Sequence, residues 1–420
     1  MKVLLVGHAC SPERGSEPGL TWNWAWHLSF DHEVQVLTHP HYREEIESYL
    51  AKHPNPNLRF GWVTLPSVID PWSPEMGERG IRLHYLIWQH LVLRAAARLH
   101  RRHGFEIIHH VSWGTISAPP LLWRLPVPFI WGPVGGGETA PANFRAYFGD
   151  DSWSDSLRTL RIRSLPRSPF LRKAIKNSAL LLATNRETYQ LMQRAGAENV
   201  RYAYDNAVTD RMLIDRPSLR SSGGEIKLLW AGRLEPFKAL PLGIEAIAQL
   251  QHVPVRLLVA GSGSQRSALE RLTRELGVSD RVQFLGQLPW SVMPSLFQEA
   301  DAFLFTSLRD SMGSVVLEAM AQALPIITLD HQGVAALVPD QAGIKVPVTV
   351  PALTVAALAD AIRRLAASPE LRRSLGEAAW NHARAQTWEK RVAEMNNWYQ
   401  ECARNRRVAN RRQQYAVRPH

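Results

Sequence analysis

Short apolar runs that end in glycine or polar loops alternate along the chain with segments whose apolar residues recur at helical spacing. The first run, 3–6, ends at Gly7, and a loop of small residues follows before Leu20 and Trp24 begin a helical pattern. A strand, a glycine-rich loop and a helix in this order form the first unit of a doubly wound α/β domain. The same alternation predicts strands at 34–37, 58–63, 106–111, 129–131 and 180–183 and helices at 81–103 and 186–194.

A cluster of proline, serine and glycine at 216–225 interrupts the alternation, which then starts again. The second half predicts strands at 227–232, 255–260, 282–286, 302–305 and 326–328 and helices at 240–250, 269–276, 315–322 and 388–401. We therefore predict two Rossmann-like, doubly wound parallel-sheet domains, 1–215 and 226–386, with a linker at 216–225, a terminal helix at 387–402 and a tail at 403–420. Parallel sheets bind ligands at the carboxyl ends of their strands, so the two domains should face each other across a cleft.

The composition, 45% hydrophobic and 21% charged, is that of a folded globular chain and excludes the disordered and fibrous classes. Two cysteines, Cys10 and Cys402, are too few for a disulfide framework or a cysteine-ligated zinc site, which fits a reducing compartment. No apolar run reaches the ~18 residues that span a bilayer, and the apolar start is too short for a signal peptide. We therefore expect a cytoplasmic protein.

Two segments account for the net charge of +11, and neither contains an acid. The tail carries Arg404, Arg406, Arg407, Arg411, Arg412 and Arg418, and the segment 157–176 carries Arg158, Arg161, Arg163, Arg167, Arg172, Lys173 and Lys176. Apolar residues interleave with the cations of the second segment, so it is either a solvated helix face or a basic surface that contacts an anionic membrane. The positive charge also leaves nucleic acid and phosphorylated substrates as candidate partners.

The stretch 303–321 combines the features of a phosphate site and a hydroxyl site. Gly313 permits close approach of the backbone, and a helix begins near Ser314, whose free N–H groups suit a phosphate. Asp310 and Glu318 flank that anion site, and carboxylates accept hydrogen bonds from vicinal hydroxyls. Taken alone, Asp310 could equally cap the helix and Glu318 could lie on the surface.

Two further signals precede this stretch. Arg233 and Lys238 follow the first strand of the second half, where their charges suit a diphosphate unless they are a surface pair. A glycine turn at 261–263 follows the next strand and is a weak signal by itself.

Together these residues resemble the donor-binding domain of the GT-B fold glycosyltransferases, in particular family 4 of retaining enzymes. The shared motifs, over roughly 225–345, are Gly232-Arg233-Leu234 with Lys238, the glycine turn at 261–263, and the two acids Asp310 and Glu318, separated by seven residues. The resemblance implies that Arg233 and Lys238 hold the donor diphosphate and that Glu318 binds the ribose hydroxyls. It also implies that Asp310, with backbone amides near Gly313, holds the transferred sugar.

Two positions depart from the family pattern. Asp310 stands where many members have glutamate, and Ala239 follows the lysine where they have glycine. The aspartate is one methylene shorter, which leaves sugar binding possible and the identity of the sugar open.

The first half resembles the family less closely. Residues 15–19 take the place of its N-terminal glycine loop, and 131–138 resembles a segment of exopolysaccharide-type members. Members often carry a histidine in the cleft near this point of the chain. Because His109 and His110 point to opposite faces of a strand, at most one faces the cleft; we favour His110, and packing is the alternative for each. Glu138 either contacts acceptor hydroxyls or begins the next helix.

The candidate catalytic residues are His110, Arg233, Lys238 and Asp310. The candidate substrate-binding residues are Gly15, Ser16, Gly19, His109, Gly135, Gly136, Glu138, Gly232, Gly261, Gly263, Gly286, Ser311, Met312, Gly313, Ser314, Val315 and Glu318.

These features predict a retaining glycosyltransferase that moves a sugar from a nucleoside-diphosphate sugar to a saccharide or polyprenyl-linked acceptor in exopolysaccharide synthesis. No metal or other cofactor is expected, because cations and a helix terminus can stabilise the leaving diphosphate. Closure of the domains around the linker would exclude water. The expected location is the inner face of the plasma membrane. The expected membrane contact is through Arg158–Lys176 and the tail Arg404–Arg418. A nucleotide-sugar epimerase of the same architecture and a basic nucleic-acid-binding protein are the alternatives. No nucleic-acid partner is expected, because the basic segments lie outside both predicted clefts.

Overall fold

The computed structural model describes residues 1–73, 76, 79–209, 212–215 and 224–416, with side chains described as far as 406. Most of the predicted linker, 216–223, lies outside the described residues. The described residues form two parallel β-sheets of seven and six strands, flanked by helices. The predicted fold class is confirmed.

The first sheet contains seven parallel strands in the order β3-β2-β1-β4-β5-β6-β7. Their bounds are β1 Lys2–Gly7, β2 Glu33–Thr38, β3 Leu58–Trp62, β4 Ile107–Ser112, β5 Phe129–Val134, β6 Leu180–Ala183 and β7 Val200–Tyr202. The helices of this half are α1 Ser16–Leu28, α2 Arg43–Lys52, α3 Ile81–His103, α4 Ser152–Ser164, α5 Pro169–Lys176 and α6 Arg186–Arg194. The sequence pattern missed β7, a half-exposed edge strand of three residues.

The second sheet has the strand order β10-β9-β8-β11-β12-β13, the order of dinucleotide-binding domains. Its strands are β8 Ile226–Ala231, β9 Val255–Ala260, β10 Val282–Gly286, β11 Ala302–Phe305, β12 Ile326–Leu329 and β13 Gly343–Val346. Its helices are α7 Leu240–Ala248, α8 Arg266–Glu275, α9 Met293–Glu299, α10 Ser314–Ala321, α11 Gln332–Leu337, α12 Pro351–Ala367 and α13 Pro369–Arg384. The sequence pattern missed β13. Within the described part of the chain, no helix has the length and apolar character needed to cross a bilayer.

Alternate residues of the central strands face two different hydrophobic cores. In β8, Leu228 and Trp230 join the core on one face of the sheet, while Leu229 and Ala231 join the core on the other. A strand that is covered on both faces needs a continuous apolar run instead of an alternating one. This requirement explains why the short apolar runs in the sequence coincide with the central strands of both sheets.

The last helix, α14 Trp388–Ala416, is longer than predicted and returns to the first domain. The tail that we expected to begin at 403 therefore continues the helix as far as Ala416. The Trp388 ring lies 5.2 Å from that of Trp24, and the Tyr399 hydroxyl lies 2.6 Å from Nδ1 of His109. Just before α14, Thr387 forms a bridge with Val208, so the outgoing and returning chains lie side by side where they cross between the domains.

A segment of the first half inserts into the second domain. The 3₁₀ stretch Ala142–Asp151 places Phe144 and Phe148, both fully or almost fully buried, in the core beneath α7 and α12. The Tyr147 hydroxyl donates a hydrogen bond to Glu245 at 2.6 Å. These contacts fasten the two halves together at one end of the cleft.

We expect Phe144→Ala to lower the free energy of unfolding by about 3–5 kcal/mol, because truncation of a buried phenylalanine leaves a cavity. Urea unfolding followed by tryptophan fluorescence measures the change. Phe30, 61% exposed, is the matched control, and Phe30→Ala should stay within about 0.5 kcal/mol of wild type. Equal, small effects of both substitutions would contradict the insertion of Phe144.

Candidate functional site

The loops that follow β1, β5, β8, β9, β10 and β11 line one cleft between the domains. Strand order reverses between β1 and β4 and between β8 and β11, which is where doubly wound sheets open a crevice. The cleft has a volume of about 1660 Å³. The predicted residues that line it are Gly15, Ser16, Glu138, Gly232, Arg233, Lys238, Gly261, Asp310, Ser311, Gly313, Ser314, Val315 and Glu318. Gly19 lines an adjoining cavity of about 260 Å³.

Lys238 and Asp310 form an ion pair at the centre of the second-domain wall. Lys238 ends a short 3₁₀ turn after β8, and its Nζ lies 5.4 Å from the centre of the Phe305 ring. The backbone N–H of Asp310 donates to Oε1 of Gln332 at 2.8 Å, which fixes the loop after β11. Both charged side chains remain 17–18% exposed, so each can contact a ligand in the cleft.

The beginning of α10 presents free amides to the cleft. Gly313 precedes the helix with φ of 81°, a left-handed conformation that favours glycine. No side chain caps the helix, and Ser314 and Val315 line the cavity. The positive end of the helix dipole and its unpaired N–H groups therefore form an anion site.

Further cations surround the same wall. The guanidinium groups of Arg233 and Arg309 lie 5.5 and 4.8 Å from the centre of the Phe237 ring. Burial and the charge of Arg158 lower the pKa of Arg309 to about 10, so it stays protonated at neutral pH, and it pairs with Asp155. Arg309 directly precedes Asp310 but is not among the residues predicted from the sequence.

Glu318 lies on α10 beside Trp290, a residue that the sequence analysis did not single out. Burial raises the pKa of Glu318 to about 7, and the Trp290 indole opposes that rise. The same indole reaches the first domain, because a Cβ added at Gly15 would lie only 3.3 Å from it. Trp290 therefore connects the acidic side chain to the glycine loop across the cleft.

Two further carboxyl groups near the cleft were also missed. Burial raises the pKa of Glu17 to about 7, although the Gly114 N–H donates to its Oε1 at 3.1 Å. Burial and the charge of Asp310 raise the pKa of Asp205 to about 7. Glu17, Asp205 and Glu318 thus all titrate close to neutral pH.

Glu138 joins the two halves at the edge of the cleft and does not begin a helix. Its Oε2 accepts hydrogen bonds from the Gly136 N–H at 2.9 Å and from Asn185 at 3.1 Å, while Oε1 accepts one from the Ser311 hydroxyl at 3.2 Å. A Cβ added at Gly135 would lie 2.0 Å from the same hydroxyl, so only glycine fits there.

The two histidines of β4 face opposite sides of the sheet, as predicted, but neither lines the cleft. His109 and His110 are 0% and 1% exposed. His109 contacts Tyr399 and the Gly132 carbonyl, and His110 contacts the Tyr85 hydroxyl at 3.0 Å. Burial lowers the pKa of His109 to about 4 and that of His110 to about 3. The expectation that His110 faces the cleft fails because α3 covers one face of β4 and α14 the other.

Five other predicted residues also lie outside the lining of both cavities: Gly135, Gly136, Gly263, Gly286 and Met312. Met312 is 1% exposed and belongs to the second-domain core. Gly286 accepts a hydrogen bond from the Gly261 N–H at 2.7 Å, and Gly263 lies against the backbone of Leu234. These residues shape the loops that carry the lining residues.

Residues 213–382 match the sequence model of the family described as "Glycosyl transferases group 1". This part of the chain is similar to the group 1 glycosyl transferases. The D-inositol 3-phosphate glycosyltransferase of Corynebacterium glutamicum is 31% identical over 188 residues, 43% of this chain and 44% of the relative. The alpha-D-kanosaminyltransferase of Streptomyces kanamyceticus is 31% identical over 154 residues, 36% of this chain and 39% of the relative. The chain spans less than half the length of these curated relatives.

Solved structures resemble the group 1 domain together with the first half. Sucrose-phosphate synthase from Thermosynechococcus elongatus has a TM-score of 0.68 at 20% identity, over 95% of this chain and 98% of that chain. HepE from Anabaena, in complex with UDP, has a TM-score of 0.62 at 16% identity, over 94% and 100%. WaaG, a glycosyltransferase involved in lipopolysaccharide biosynthesis, has a TM-score of 0.61 at 16% identity, over 94% and 98%. The GT-B fold is therefore confirmed for the described residues of both halves.

We expect Asp205→Asn to change how stability depends on pH. The folded-state pKa of Asp205, about 7, lies above its ordinary value of 3.8, so ionisation destabilises the fold as pH rises between these values. Urea unfolding at pH 5 and pH 8 should show the variant gaining about 1 kcal/mol or more on wild type over that interval, since one pKa unit is about 1.4 kcal/mol. The exposed Asp280→Asn should keep the wild-type pH dependence. If the difference in unfolding free energy between Asp205→Asn and wild type were the same at pH 5 and pH 8, the pKa of Asp205 would not be raised by burial.

Proposed function

We propose that the protein is a family 4-type retaining glycosyltransferase that moves a sugar from a nucleoside-diphosphate sugar to a hydroxyl of a saccharide or lipid-linked acceptor. The observation that carries the proposal is that two cations, a free helix N-terminus and two acids line one cavity. The group 1 family match of the same half supports it. The fold supports it as well, because HepE has a similar fold and its structure contains UDP.

The donor occupies the second-domain wall in this proposal. Arg233, Lys238 and the amides at the start of α10 contact the diphosphate, since cations and helix N-termini stabilise phosphate oxygens. Glu318 accepts hydrogen bonds from the ribose hydroxyls. Asp310, held by Lys238 and by Gln332, accepts hydrogen bonds from the transferred sugar.

Transfer proceeds on one face of the sugar. The bond from C1 to the diphosphate oxygen breaks, the acceptor oxygen bonds to C1 from the same side, and the acceptor proton passes to the departing phosphate oxygen. No side-chain base takes part in this scheme, which agrees with the burial of His109 and His110 away from the cleft. In this scheme, Arg233, Lys238 and the N-terminus of α10 stabilise the negative charge that develops on the leaving diphosphate. The scheme therefore requires no metal ion.

We expect Glu318→Ala to weaken nucleotide binding about 10- to 100-fold, because a hydrogen bond to a charged group contributes about 1.5–3 kcal/mol. Isothermal titration calorimetry against UDP, GDP, ADP and their sugars measures the loss and identifies the preferred base. Glu299→Ala, at an exposed position on α9, should bind like wild type. Wild-type affinity in the Glu318→Ala variant would refute the donor site.

We also propose that α4 of the first domain contacts an anionic membrane, where a lipid-linked acceptor for cell-surface or exopolysaccharide synthesis would lie. Trp153, Leu157 and Leu160 are 67%, 50% and 66% exposed and recur at helical spacing. The neighbouring Arg161 and Arg163 are exposed as well. Aromatic and apolar side chains flanked by arginine suit the interface between lipid headgroups and acyl chains.

Only part of the basic segment 157–176 belongs to this proposed membrane surface. Ile162, Leu171 and Ile175 are buried in the first-domain core, so their interleaving with cations reflects packing. Arg158 lines the cleft and donates a hydrogen bond to the Glu138 carbonyl at 2.8 Å. In the tail, Arg406 donates to the Pro126 carbonyl, and the side chains from 407 onward lie outside the described residues.

We expect wild-type protein to float with vesicles that contain acidic lipid and to stay behind with neutral ones. Changing both Trp153 and Leu160 to serine should abolish flotation, since it removes the apolar contact, whereas Phe30→Ser, on a different exposed site, should not. Deletion of 407–420 tests whether the tail contributes. Flotation that survives the double change and is lost only with the tail would assign binding to the tail instead.

A further inference from the structure

A cluster of three histidines and an aspartate lies in the first domain, apart from the lining of both cavities. His8 follows β1 and His39 follows β2, two neighbouring parallel strands whose ends hold these residues side by side. The His39 N–H donates to the His8 carbonyl at 3.0 Å. His84 lies in the first turn of α3, and Asp70 lies in the loop that precedes this helix.

The side chains of this cluster converge on one point. The ring centres of His8, His39 and His84 lie 5.2–5.5 Å from one another. One potential ligand atom each from His39, Asp70 and His84 lies within 4.8 Å of the other two. In a tetrahedral zinc site, bonds of about 2.0–2.2 Å place ligand atoms roughly 3.4 Å apart. Small side-chain rotations are therefore enough to bring one nitrogen of each ring onto one ion.

Two ring nitrogens of the cluster are buried without a hydrogen-bond partner among the described residues, Nε2 of His8 and Nε2 of His84. Buried polar atoms are normally paired, so each exception calls for an explanation. Nδ1 of His84 lies 2.6 Å from Oδ1 of Asp70. A histidine that contacts a carboxylate through one nitrogen and has the other nitrogen free has the arrangement commonly found in metal sites.

We propose that ring nitrogens of His8, His39 and His84 bind a divalent transition-metal ion, with Zn²⁺ as the expected occupant, and that Asp70 holds the His84 ring through Nδ1. Three imidazole nitrogens are a typical zinc ligand set, and they suit the harder Mg²⁺ and Ca²⁺ poorly. The ion would fasten the Asp70 loop and the start of α3 to the ends of β1 and β2. Its role is structural, and it takes no part in the proposed sugar transfer.

Zinc titration of the full-length chain, expressed without a histidine tag and treated with chelator, tests the site. Competition with a chromophoric chelator should show one Zn²⁺ per chain at sub-micromolar affinity. Co²⁺ should give visible absorption bands typical of four-coordinate nitrogen and oxygen ligation. Thermal unfolding should shift to higher temperature with Zn²⁺, because binding to the folded state stabilises it.

The variants His39→Asn and His84→Gln should each weaken Zn²⁺ binding at least tenfold and remove the thermal shift. Asp70→Asn should weaken binding by about 10- to 100-fold. His90→Gln is the matched control, since His90 is exposed and lies on the same helix as His84. Circular dichroism of the metal-free variants establishes that they fold. Absence of stoichiometric binding, or equal binding by His84→Gln, His39→Asn and His90→Gln, would show that the cluster is only a packed group of rings.

Discussion

The reversal of strand order in each sheet is the constraint on which the site depends. Right-handed crossovers send the connections after β1 and β4 to opposite faces of the first sheet, and those after β8 and β11 to opposite faces of the second. A gap then opens at the carboxyl ends of these central strands. The segments that line the cleft border this gap. They are the glycine loop before α1, the loop with Arg233 after β8, and the loop with Asp310 that leads into α10.

The charges of the cleft are only partly compensated within the protein. Lys238 pairs with Asp310, and Arg309 pairs with Asp155, which offsets the cost of removing these ions from water. Glu318 and Asp205 instead respond to enclosure by holding their protons more tightly, as their pKa values of about 7 show. A wall with cations, free amides and protonatable acids is suited to an anionic ligand that also offers hydroxyl groups.

Local sequence patterns predicted the elements of the fold and the second-domain side of the site. Strands covered on both faces must be apolar throughout, so short runs such as 302–305 identify them with little ambiguity. Arg233, Lys238 and Asp310 lie in the segments that follow β8 and β11, and Glu318 lies on the helix after β11. The parallel topology brings the ends of these strands together. Edge strands such as β7 and β13 carry weaker patterns and were missed.

What the sequence did not predict depends on contacts between distant segments. Strand alternation correctly placed His109 and His110 on opposite faces, but it could not show that α14 returns to cover one of them. Arg158 was assigned to an outer surface because its neighbours are basic, whereas its partner Glu138 lies 20 positions earlier in the chain. The insertion of Phe144 into the second-domain core likewise depends on a core whose other residues come mostly from 226–375.

The pairing of Val208 with Thr387 and the return of α14 make the second domain an insertion within the first. Both covalent connections pass through one narrow place, so the inserted unit has its two ends close together. A transplant of this unit into another protein of the same architecture would need residues 142–151 as well, because Phe144 and Phe148 complete its core.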